Sequence, residues 1–70
     1  MKIGARNSIP AIVTSIELGD VMALVKFDVG ASVKMASVLT HESVDEMGLN
    51  VGDEVRLVVK AINVIPVKED

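Results

Sequence analysis

The sequence predicts an all-β fold, a five-stranded barrel with one short helix between its third and fourth strands. Three observations carry this. Apolar residues recur at every second position through most of the chain, and β-branched residues are frequent in those runs. The one stretch that breaks the alternation, Thr40 to Gly48, carries helix start and stop signals instead.

Ile9 to Glu17 is the first strand, rich in branched residues, with Pro10 confining its beginning to an edge or a strand entry. Leu18-Gly19-Asp20 is a tight hairpin in which Gly19 can adopt positive φ. The second strand follows, with Val21, Ala23, Val25, Phe27 and Val29 on one face and Met22, Leu24, Lys26 and Asp28 on the other. Gly30 and Ala31 interrupt it. Alternation then resumes as Val33, Met35, Ser37 and Leu39 against Lys34, Ala36 and Val38, giving the third strand. Thr40 is placed to cap a helix whose early turns hold Glu42, Asp45 and Glu46, where negative charge is favoured, and Gly48 is placed to end it. After the Asn50-Val51-Gly52-Asp53 turn comes a fourth strand, Glu54 to Ala61, and then a short fifth, Asn63 to Val67. Three strands, a helix and two strands is the element order of an OB-like barrel, and a parallel βαβ sheet is disfavoured.

At 70 residues the chain makes one domain, and a domain this short buries only about 60% of its unfolded surface. Small folds compensate with disulfides, a structural metal or association. There is no cysteine, and His41 is the single histidine, so a thiolate cage or a multi-histidine zinc site is excluded within one chain. Half the residues are hydrophobic although Phe27 is the lone aromatic, more than a thin barrel needs, so the surplus is read as subunit interface. A net charge of −3 supplies no basic stripe for phosphate backbones, and no aromatic platform exists for bases, which argues against nucleic acid as a partner. The start of the chain has no apolar signal region, and no apolar run approaches a membrane span, so the expected location is cytoplasmic.

No catalytic constellation is visible, and the chain is not expected to be an enzyme. His41 has no paired nucleophile and reads as a solvent-exposed residue of the first helical turn. Asp45 and Glu46 are adjacent on the helix and point apart. Gly4-Ala5-Arg6-Asn7 sets a flexible backbone and a fixed cation just before the first strand, where free N–H groups suit an anion. Lys60-Ala61 sets another cation near the end of the fourth strand. Their spacing alone does not say that the two segments meet.

These segments, together with Gly19-x-Val21-x-Ala23, Ser43-Val44-x-x-Met47-Gly48-Leu49-x-Val51-Gly52 and Lys60-Ala61-x-x-Val64, resemble the molbindin family, small cytoplasmic molybdate-binding proteins built from a single TOBE domain, over residues 1–70. The resemblance implies an OB-like fold, a homo-oligomer that is a hexamer built as a trimer of dimers, and molybdate or tungstate held between subunits without a further cofactor. By position, Ala5, Arg6 and Asn7 match one binding segment and Lys60 and Ala61 a second, while the Gly19-Asp20-Val21 turn matches a loop contributed by the neighbour. A tetrahedral dianion only accepts hydrogen bonds, so backbone N–H groups and cations are the donors it requires. Gly4 stands where the family often has serine, Ile62 where threonine is common and Asn63 where a small polar or acidic residue is usual, and Asp20 brings a carboxylate close to the third segment. Two other readings are a TOBE-type assembly module without strong anion binding, and an antitoxin-like DNA-binding domain suggested by Met47 to Val55.

Overall fold

A computed structural model describes residues 6–69. Four antiparallel strands form one sheet: β1 (Asn7–Leu18), β2 (Met22–Gly30), β3 (Val33–Thr40) and β4 (Glu54–Val59), in the order β3-β2-β1-β4. The helix α1 (His41–Met47) lies between β3 and β4 in sequence, as expected.

β1 changes partner along its length. Asn7 to Ile12 pair with β4, and Ile12 to Leu18 pair with β2. Pro10, which has no N–H to donate, sits opposite Arg56 in the half of β1 that has β4 on one side and no ladder partner on the other. At Thr14 the register shifts, with Val13 opposite Phe27 but Ser15 opposite Lys26. This bulge moves the inward side from the odd positions Ala11 and Val13 to Ile16, bending the strand around the core.

The core is Ala11, Val13, Ala23, Val25, Phe27 and Val44, with Ile16, Val29, Leu39, Leu49, Val55 and Leu57 packed around it. Burying a side chain such as Phe27 or Val25 contributes about 1.5–3 kcal/mol each, and the alternation of β2 delivers three of these residues to one face. Val44 reaches the core because α1 is held at both ends. Thr40 Oγ1 accepts from the Ser43 N–H at 3.0 Å. At the other end Gly48 adopts φ 62, and the N–H groups of Gly48 and Leu49 bond the carbonyls of Asp45 (3.1 Å) and Val44 (3.2 Å), a Schellman arrangement.

The hairpin between β1 and β2 needs glycine for a reason other than φ. Gly19 is not among the residues with positive φ; instead its N–H donates to the Met22 carbonyl at 2.8 Å, and a Cβ at Gly19 would stand 2.9 Å from that oxygen. Close approach of backbone to backbone is what excludes a side chain.

The fifth strand expected over Asn63 to Val67 is not found among the described residues. β4 ends at Val59, and Ala61–Asn63 form a 3-10 helix closed by bonds from Asn63 N–H to Lys60 O (2.9 Å) and Val64 N–H to Ala61 O (3.2 Å). The chain therefore leaves β4 without a hairpin, and residues 64–69 carry no regular structure. The edge strands β3 and β4 do not pair with each other. Between them opens an apolar cleft of ≈ 240 Å³, lined by Phe27, Met35, Leu39, Leu49, Val55 and Leu57 among others.

Candidate functional site

The two ends of β1 carry the segments singled out from the sequence. At its start, Asn7 pairs with Val59 and donates from Nδ2 to the Val59 carbonyl at 3.3 Å. The ladder ends at this rung, and Arg6 and Lys60 are the next residues beyond it on the two neighbouring strands. The two segments thus extend from neighbouring strand ends. Ala5 lies outside the described residues. Ala61 opens the 3-10 helix and is exposed, as are Arg6 and Lys60.

Arg56 belongs to the same surface. Period two along β4 puts Arg56 and Val58 on the outward face, and the Arg56 guanidinium donates from Nη1 to Ser8 Oγ at 3.1 Å, two residues along the chain from Arg6. Sequence reasoning passed over Arg56 because it considered only residues in the matched motifs; the signal was its even spacing from Lys60. Among the described residues no carboxylate lies within ion-pair distance of Arg6, Arg56 or Lys60; Asp28 pairs with Lys34, and Asp45 stands beside the His41 ring. A shallow groove lined by Arg6, Asn7, Ser8, Val59, Asn63 and Val64 runs beside the cations. No grouping of three metal-ligating side chains occurs among the described residues, so a bare cation has no cage there.

The third segment is elsewhere. Gly19, Asp20 and Val21 form the exposed loop after Leu18, at the opposite end of the 12-residue strand β1, which at about 3.3 Å per residue is tens of ångströms from Arg6. One chain therefore does not bring this loop to the cations. His41, read from sequence as solvent-exposed, is instead half-buried against the loop: its N–H donates to the Val21 carbonyl at 2.7 Å, and its Nδ1 lies 2.7 Å from the Gly19 carbonyl.

Four antiparallel strands, a capped helix beside an open apolar cleft and a cation surface at the β1–β4 end define a small, mostly-β ligand-binding module. The chain belongs to the TOBE domain family, whose model matches residues 4–66, and to the molbindin group within it. A probable molybdenum-pterin-binding protein of Haemophilus influenzae is 40% identical over 65 residues, which cover 93% of this chain and 94% of that protein. A molybdate-binding protein from Sporomusa ovata superposes with a TM-score of 0.90 at 35% identity, over 97% of this chain and all of the other. MopII from Clostridium pasteurianum superposes with a TM-score of 0.86 at 31% identity, over 96% of this chain and all of the other.

Proposed function

We propose that the protein binds molybdate or tungstate, as the tetrahedral oxyanion, at sites between subunits of a cytoplasmic homo-oligomer, a hexamer, and that it stores, buffers or delivers the ion without chemically transforming it. The observation that carries this reading is the pairing of Asn7 with Val59 at the end of the β1–β4 ladder, which leaves Arg6 and Lys60 as the next residues on neighbouring strands, with Arg56 on the same face of β4. Like charges brought close together repel. A dianion between them turns that repulsion into charge-assisted hydrogen bonds. Asn7 and the N–H of Ala61 add donors, and the Gly19-Asp20-Val21 loop of a neighbouring subunit completes the shell, since the same chain's loop is at the far end of β1. The names of the relatives from Haemophilus influenzae and Sporomusa ovata support the choice of ligand.

Association also accounts for the missing strand. Val64, Ile65 and Val67 are 53%, 82% and 80% exposed, and the cleft between β3 and β4 is apolar with a free ladder edge on each side. In the assembly these residues form the fifth strand in that cleft on another copy, completing the OB-like barrel.

Thermal unfolding at fixed protein concentration tests the ligand. A ligand binding the folded assembly alone stabilises it by about 2.7 kcal/mol at a hundred times its Kd, so molybdate should raise Tm and sulfate, with shorter bonds, should raise it less. Equal shifts with both ions, or none, would remove the dedicated site.

A further inference from the structure

We propose that His41 is a positioning residue for the Gly19-Asp20-Val21 loop, aiming the Asp20 N–H outward as an oxyanion donor; the inference rests on the oxyanion reading above. Residue 41 holds both ends of the loop. Its backbone N–H donates to Val21 O at 2.7 Å, and its ring Nδ1 meets Gly19 O at 2.7 Å. A carbonyl oxygen only accepts, so Nδ1 carries the proton, whether the ring is neutral or charged. On its other side Asp45 Oδ2 lies 3.5 Å from Nε2, a contact that attracts the ring only when Nε2 also carries a proton.

The peptide joining Gly19 to Asp20 is trans, and in a trans peptide the C=O and N–H point in opposite directions. Turning the Gly19 carbonyl onto the imidazole therefore turns the Asp20 N–H away from it. That N–H has no acceptor among the described residues, although the neighbouring Gly19 N–H is bonded to Met22 O. The loop presents a donor whose direction is set from behind, while the Asp20 carboxylate, itself an acceptor, is exposed on a side chain free to turn to water. The Gly19 N–H bond to Met22 O, which leaves no room for a Cβ at Gly19, closes this loop.

The test uses the assembled protein with molybdate as probe and two variants. His41→Ala should weaken binding about three- to tenfold, the effect of one lost hydrogen bond, and shift the Asp20 backbone amide resonance without changing the oligomeric state. His41→Asn, whose amide nitrogen stands near the Nδ1 position, should restore most of the affinity and the resonance. A His41→Ala protein that binds as tightly as the parent would overturn the role of His41. So would a His41→Asn protein as weak as the alanine variant, because a purely packing role would not distinguish them in this order. A parent that binds no molybdate sinks the oxyanion reading and this role together, whereas a binding parent with an indifferent His41 sinks this role alone.

Discussion

Asn7 faces Val59 across the β1–β4 ladder and bonds its carbonyl through Nδ2 at 3.3 Å, so the strands that lead to Arg6 and Lys60 end side by side. A tie between residues 52 positions apart in the chain joins the two motifs. If an oxyanion bridges these cations, Arg6→Ala removes a charge-assisted bond worth about 1.5–3 kcal/mol, and molybdate affinity should fall about tenfold or more. Lys60→Ala should behave alike. Isothermal titration of variants that keep the parental oligomeric state checks both, and undiminished affinity in both would place the anion elsewhere.

Arg56 separates the structural reading from the motif reading. Its guanidinium sits against Ser8 on the same outward face, yet it belongs to none of the matched segments. Arg56→Gln is expected to weaken molybdate binding severalfold and to flatten its dependence on ionic strength, because a cation near the anion acts through a screened Coulomb interaction. Titrations at low and high salt would show it.

The turn between β2 and β3 is strained. Gly30 pairs with Val33, leaving Ala31 and Ser32 as the two central residues at φ 50 and 62. Two-residue hairpins of this kind require positive φ at both positions and favour Asn-Gly, whereas other residues cost about 1 kcal/mol or more each. Ala31→Asn with Ser32→Gly should therefore raise the urea midpoint with an unchanged slope, compared at equal protein concentration.

This turn also shows where the sequence stops being readable. Alternation exposed β2, β3 and β4 because each is buried on one face, and Thr40 and Gly48 marked α1 because cap chemistry is local. The bulge at Thr14 leaves no such mark: Val13 and Ile16 both face inward, a change of side that depends on β2 and not on β1's own residues. Ala31-Ser32 lacks the residues that announce left-handed backbone. His41 looked solvent-exposed because its partner, Gly19, is 22 residues away and offers only a carbonyl. The residues from Asn63 to Val67 read as a strand, but a strand needs a ladder partner, and after Val59 the described chain forms a 3-10 helix and joins no ladder.

Asp28 supplies a pH test of the β2–β3 hairpin. Its Oδ1 accepts from the Gly30 N–H at 2.8 Å, and its Oδ2 lies 3.2 Å from Lys34 Nζ. The backbone bond first, and Lys34 second, hold this carboxyl below its ordinary value of 3.8. A depressed folded pKa means stabilisation that is fully present above the unfolded value and lost as pH falls through the folded one. Asp28→Asn keeps an oxygen for Gly30 but not the charge. It should be less stable than the parent at neutral pH, and the difference should shrink as pH drops below the ordinary value. A constant difference from neutral to acid would assign the effect to something other than this charge.

The last prediction concerns the cleft between β3 and β4. Its walls are mostly apolar, including Phe27, Met35, Leu39, Val55 and Leu57, with Ser37 and Arg56 among them, and each edge strand presents unpaired N–H and C=O groups, the surface onto which an extended segment adds. Ile65 and Val67 alternate across Pro66 and are more than three-quarters exposed; Pro66, lacking an N–H, fits a strand only where that position faces no acceptor. If these side chains enter another copy's cleft, placing a charge on them puts an uncompensated ion into apolar surroundings, at a cost of several kcal/mol. Ile65→Asp with Val67→Asp should therefore break the assembly into smaller species by light scattering at micromolar concentration. It should also abolish molybdate binding although Arg6, Arg56 and Lys60 are untouched, because the neighbour's Gly19-Asp20-Val21 loop is then absent. A charged double variant that remains oligomeric and binds like the parent would show that the segment lies outside the interface, whereas one that dissociates yet still binds would confine the site to a single chain.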